Sequence, residues 1–185
     1  MLSFTSRTPL AADESFVPNS YLLITAGTFQ KRPFMRLEHR KQMLLESLDF
    51  NCYKWKWRLL AYVILDNHYH LVVHAPDDDR SVVQHSLAHI IQSAHSYSAY
   101  HWRRDDPSIR SRIWWNFWDA PIGDLASLRC HINYLNANPA FHGKVRDPST
   151  YPYSSYHLYV KQDRETLAQW EKDYPADKVD LIDNF

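Results

Sequence analysis

The chain reads as an α+β protein of the ferredoxin-like sandwich kind, an antiparallel sheet with helices packed on it. Three observations carry that expectation. Tyr21 to Thr28 is β-branched and aromatic, a strand closed by Gly27 and the basic, proline-containing Lys31-Arg32-Pro33. From Trp55 the chain alternates apolar and basic residues at period two, becomes wholly apolar from Leu60 to Leu65, and meets turn material at Asp66-Asn67 before a second strand, His68 to His74. Helical spacing follows each of these strand regions.

The first helix spans Leu37 to Leu48, with Met43, Leu44 and Leu48 on its apolar face. The second runs from Val82 to His101, capped by Ser81, with Val83, Leu87, Ile90, Ile91 and Ala94 at helical intervals, and a charged loop, Arg103 to Arg112, comes after it. Beyond a tryptophan-rich run, a third helix covers roughly Asp124 to Asn136, capped by Asp124, with Leu125, Leu128, Ile132 and Leu135 as its stripe. Asn138-Pro139 ends it, because proline cannot continue the hydrogen-bond ladder. Tyr151 to Val160 is a short strand or docking strip. The expected organisation is a loose leader at 1–18, one domain at 19–160 and a peripheral acidic extension at 161–185.

Composition excludes more than it selects. With 21 basic and 21 acidic residues the net charge is zero, but residues 1–112 carry 14 basic against 11 acidic groups and the last 25 carry 4 against 7, which permits a basic face on the body. Cys52 and Cys130 cannot form a four-thiolate zinc site, and their scarcity fits a reduced cytoplasmic protein. No signal peptide or membrane span is legible at the front or elsewhere. Three glycines, none in a GxGxxG or Walker arrangement, argue against dinucleotide and P-loop chemistry.

His68-Tyr69-His70 carries the chemistry. On a strand, side chains at i and i+2 share a face, so both imidazoles can reach one ion while Tyr69 points away. Two histidines leave coordination positions open for water and substrate, unlike a closed structural zinc site. Imidazole suits Mn, Co, Zn and Ni, and a phosphate together with an amide oxygen such as that of Asn138 makes Mg or Mn workable. Tyr134 lies about 140° from the centre of the third helix's stripe, so it is not a core residue of that helix, and Asn138 follows one turn later. A metal pair and a displaced tyrosine point to phosphodiester cleavage, with the phenol as nucleophile preserving the bond's energy in a covalent link. His131, one turn before Tyr134, is placed to orient it or to contact phosphate. Candidate nucleic-acid contacts are Lys31, Arg32, Arg36, Arg103, Arg104, Arg110, Arg112 and His131.

Four segments together resemble the HUH single-tyrosine transposases, and among them the REP-associated tyrosine transposases. These are Trp57 to His74 with His68-Tyr69-His70; Trp115-Asn116-Phe117-Trp118; Arg129-Cys130-His131-Ile132-Asn133-Tyr134-Leu135-Asn136-Ala137-Asn138-Pro139 with Gly143 after it; and Tyr151-Pro152-Tyr153-Ser154-Ser155. The resemblance implies a ferredoxin-like fold whose central strand presents His68 and His70 to a divalent Mg or Mn ion. It implies Asn138 as third protein ligand and Tyr134 as the nucleophile that nicks and rejoins single-stranded or hairpin DNA through a 5′-phosphotyrosine link. It also implies a site completed within one chain, favouring a monomer over a homodimer. Asp66 stands where the family often carries proline, and Tyr69 is bulkier than the usual middle residue. Two alternatives stay open: a hairpin-binding module that keeps the fold without turnover, and a metal-dependent phosphodiester hydrolase that activates water.

Overall fold

The computed structural model describes residues 18–179 and Asp183. The expected leader therefore lies almost wholly outside the described residues. Four antiparallel strands, β1 (Tyr21–Thr28), β2 (Arg58–Ile64), β3 (His68–His74) and β4 (Trp114–Ile122), form one sheet in the order β2-β3-β1-β4. Helices α1 (Glu38–Lys54) and α2 (Arg80–Asp105) follow β1 and β3, giving the ferredoxin-like β-α-β-β-α-β succession. Helix α3 (Leu125–Phe141) packs on β2 and β3, and α4 (Tyr156–Gln162) and α5 (Arg164–Asp173) follow it.

The central strand β1 is buried along nearly its whole length because both faces of the sheet are covered. Its alternation with β3 sorts the two faces: Thr25 pairs with His70 and Gly27 with His68, whereas Ala26 pairs with Tyr69. Tyr69 points toward α2, where its hydroxyl meets His95 Nε2 at 2.9 Å. The histidines take the opposite face, where α3 lies. Gly27 leaves no side chain beside His68.

Several boundaries differ from expectation for local reasons. Lys56 adopts φ +61° and its N–H bonds the Tyr53 carbonyl, so Trp55 to Trp57 is a tight turn and β2 begins only at Arg58. Trp57 then stands in the core and donates from Nε1 to Ser86 Oγ. Helix α2 starts at Arg80 behind Asp79, so Ser81 lies inside its first turn rather than capping it, and the helix absorbs Arg103 and Arg104 from the expected loop. The tryptophan-rich run is the edge strand β4, paired through Trp118 to Thr25 and Phe117 to Ala26.

Asp124 caps α3 as expected, its carboxylate accepting from Ser127 N at 2.7 Å. Pro139 does not end that helix. It lies inside the last turn, α3 runs two residues further to Phe141, and Gly143, with a φ of +63°, then turns the chain out of the helix. The Tyr151–Val160 segment is a docking strip: Ser154 bridges Val63, Ser155 N donates to Tyr62 O, and α4 then begins. The acidic extension is not peripheral. Leu167 of α5 is buried, and Asn133 on α3 donates to the Trp170 and Tyr174 carbonyls. Among the described residues no helix is long and apolar enough to cross a membrane.

Candidate active site

The site lies between β3 and α3. His68 is 1% exposed and His70 fully buried, and each turns Nε2 toward the helix. Their Nδ1 atoms are held from behind. Asn67 Oδ1 lies 2.9 Å from His68 Nδ1, and the same amide's nitrogen donates to the Lys31 carbonyl, so its oxygen can only accept and His68 carries its proton on Nδ1. His70 Nδ1 meets Thr25 Oγ1 at 2.8 Å, across the register pair of β1 and β3. Support at Nδ1 is what fixes an imidazole to present Nε2 to a ligand.

From α3, Tyr134, Asn138 and His142 stand at i, i+4 and i+8, which places them one above another on the helix face that looks at β3. Tyr134 is therefore buried, at 7% exposure, contrary to the expectation that it lies off the core. Its ring meets His70 edge-on at 6.0 Å. The helix is covered on two sides, the Leu128, Ile132 and Leu135 stripe by one set of neighbours and the tyrosine stripe by the sheet, so a single apolar stripe misjudges it.

A carboxylate from the C-terminal extension marks where these groups converge. Asp183 Oδ2 accepts from Tyr134 Oη at 2.8 Å and Asn138 Nδ2 at 2.7 Å, and lies 2.9 Å from His142 Nε2 and 3.1 Å from His70 Nε2. Its Oδ1 is 3.2 Å from His68 Nε2. Burial alone would raise this carboxyl, but the His142 contact first, and then the His68 and His70 rings that face it, outweigh burial and hold the group ionised, well below the usual carboxylate range. Burial pushes His68 down to about 4, a shift that the neighbouring Asp183 carboxylate only partly opposes, so at neutral pH His68 is uncharged. Tyr134 is pushed above its ordinary value by burial first, then by the Asp183 charge and the bond to it.

The donor set fits a divalent ion. Ligand atoms of His68, His142 and Asp183 all lie within 4.8 Å of one another. A neutral His68 with its proton on Nδ1 turns a lone pair toward Oδ1, a juxtaposition that a cation relieves. Asn138 Oδ1 is buried without a hydrogen-bond partner among the described residues, leaving an amide oxygen for the same ion.

The other sequence candidates separate. Lys31 and Arg36 line a cleft of about 240 Å³ beside His68, together with Asp66, His142 and Lys144. Arg103, Arg104 and Arg112 line a larger groove of about 690 Å³ between α2 and β4, with Tyr100 and Trp115. There the guanidinium of Arg112 lies 5.0 Å from the Trp115 ring. Arg32 is tied to Ser111 at 2.8 Å, and Arg110 is exposed, outside both hollows. His131 bonds back to the Ser127 carbonyl at 2.8 Å and does not join the centre. Asp66 serves the framework, bridging Lys41 at 2.8 Å and Lys144 at 2.7 Å and so tying α1 to the loop after α3 across the turn before the histidines. The residue that sequence reading missed is His142, although its signal was present as the next step of the Tyr134, Asn138 interval. Asp183 left no local signal, because only the return of the distant tail brings it here.

A ferredoxin-like sheet whose interior strand offers paired imidazoles to a tyrosine and asparagine on a covering helix defines a protein of the IS200-like transposase class. The sequence profile of the family described as "Transposase IS200 like" matches residues 17–121, more than half of the chain, and the chain belongs to that family. It is 27% identical over 114 residues to a Haemophilus influenzae protein named for the REP-associated tyrosine transposases, covering 60% of this chain and 65% of that one. It is 27% identical over 101 residues to the REP-associated tyrosine transposase of Escherichia coli K12, covering 54% of each. The chain thus spans less than two thirds of the length of either relative. Its fold is similar to that of a REP-associated tyrosine transposase solved bound to a REP hairpin, with a TM-score of 0.63 at 20% identity, covering 100% of this chain and 95% of the other.

Proposed function

We propose that this protein is a single-strand DNA transesterase that nicks and rejoins hairpin DNA, with Tyr134 as nucleophile and His68, His70 and Asn138 holding a divalent Mg or Mn ion. One observation carries the reading: the phenol, the amide and the imidazoles converge on the two oxygens of one half-buried oxyanion. A carboxylate held this way outlines a position for phosphate oxygens, with the tyrosine oxygen in contact with the same point. The bound metal supplies charge stabilisation on the scissile phosphate.

Tyr134 Oη forms the new bond to phosphorus, the 3′-oxygen leaves as a hydroxyl, and the product is a 5′-phosphotyrosine. The phenol loses its proton as the bond to phosphorus forms and the leaving 3′-oxygen gains one, so the step is proton-neutral overall. Thr25 and Asn67 orient the imidazoles. The basic cleft of Lys31, Arg36 and Lys144 leads phosphates to His68, and the Arg103, Arg104, Arg112 groove, with Tyr100 and Trp115 to stack on bases, takes a further stretch of strand. All the groups come from one chain, which supports a monomer as the working unit.

Incubation with end-labelled hairpin DNA and Mn or Mg is expected to give a covalent protein adduct that Tyr134→Phe abolishes and His68→Ala weakens. An adduct retained by Tyr134→Phe would remove the nucleophile assignment. A second reading, hairpin binding without turnover, is favoured by the Asp183 carboxylate standing in the site and by the upward shift of the phenol. Tight binding with no cleavage under any metal would establish it.

A further inference from the structure

His142 takes no part in the chemistry proposed for Tyr134, yet it is the third residue of the stripe that carries the site. It caps α3 eight residues after Tyr134 and four after Asn138, and the left-handed turn at Gly143 stops the helix immediately behind it. Its ring lies 4.7 Å from that of His68, and its Nε2 is 2.9 Å from the carboxylate oxygen that Tyr134, Asn138 and His70 also touch. Its side chain keeps 21% exposure and lines the cleft beside His68, so an ion or phosphate arriving there meets it first.

We propose that His142 is a further metal ligand, a third imidazole beside His68 and His70 that shifts this centre's preference from Mg toward later transition ions. The inference rests on the metal-centre reading of His68 and His70 and deepens it. Ligand atoms about 2.0–2.2 Å from one ion stand roughly 3–3.5 Å from each other. His142 Nε2 stands 2.9 Å from the Asp183 carboxylate, and ligand atoms of His68, His142 and Asp183 all lie within 4.8 Å of one another, close enough for one ion to draw them together. Two imidazoles with an amide oxygen form a mixed set that Mg or Mn can accept. A third nitrogen is a donor that Mg gains little from, whereas affinity among first-row ions rises from Mn through Co to Ni for such a site.

The test is titration of the full chain, without DNA, by Co(II) followed through its visible absorption and by Mg and Mn in calorimetry. Wild type, His142→Ala, His142→Asn and His68→Ala are compared, each checked by circular dichroism for an unchanged fold. Both His142 variants are expected to bind Co(II) at least tenfold more weakly, with an altered absorption envelope, while Mg affinity moves less than twofold. Wild-type Co(II) affinity and spectrum in the His142 variants, with binding lost in His68→Ala, would overturn the third-imidazole assignment and leave the metal centre standing. Binding undiminished in His68→Ala, or absent from wild type, would remove the centre itself and this inference with it. If His142→Ala disturbs the end of α3, the near-isosteric His142→Asn decides the question.

Discussion

Acidification from pH 7 to pH 5 should destabilise this protein through His68, and the size of the loss follows from its burial. In the unfolded chain the ring takes a proton near 6.5; in the fold, burial against β1 and α3 delays that to about 4. Between these values the unfolded state binds the extra proton, so the contribution is fully present above 6.5 and is lost as pH falls toward 4. At about 1.36 kcal/mol per unit, the roughly 1.5 units from 6.5 to pH 5 amount to about 2 kcal/mol. Urea denaturation at both pH values, with EDTA present, should show wild type losing about 2 kcal/mol more than His68→Gln, which has no ring to charge. Equal losses in the two proteins would refute the claim that His68 is held neutral by burial. The same neutrality serves metal binding, since at pH 7 the ion has no proton to displace from His68.

Other outcomes follow from named contacts. Asp66→Ala strands the buried ammonium of Lys41 and should cost about 2–3 kcal/mol in denaturant, whereas Lys144→Ala, which removes the more exposed partner, should cost less than about 1 kcal/mol; equal costs would contradict that division. Asp183→Ala removes the charge and the hydrogen bond that help hold the Tyr134 phenol protonated, so phenolate absorbance, measured as a difference against the same change made in Tyr134→Phe, should rise at lower pH than in wild type; an unmoved midpoint would leave burial as the whole cause. Replacing Arg103 and Arg112 with alanine should flatten the salt dependence of single-strand binding by up to about 0.7 in log–log slope for each phosphate no longer neutralised, and an unchanged slope would take the groove out of the DNA path.

Hairpin β2–β3, the alternation that puts His68 and His70 on one face, and the Asp124 cap of α3 were all legible in the chain, because period-two burial and side-chain capping are local properties. Other local features misled. Asp66-Asn67 reads as a left-handed turn, yet among the described non-glycine residues the positive φ values fall at Asn19, Gln30, Lys31 and Lys56. Pro139 reads as a terminator, yet α3 runs through it to Phe141.

By itself the sequence determined the element order, the ferredoxin-like class, and the Tyr134, Asn138 interval that bears on chemistry. Which residues meet belonged to the tertiary structure alone. Strand β3 and helix α3 are separated by α2 and β4, and Asp183 arrives from beyond α5, so the converging atoms are 41 to 115 residues apart along the chain wherever that carboxylate is concerned. Periodicity describes one element's own faces, whereas a site is set by packing one face against another. That packing buried a tyrosine expected outside the core and brought His142 beside His68, where an imidazole can do more than end a helix.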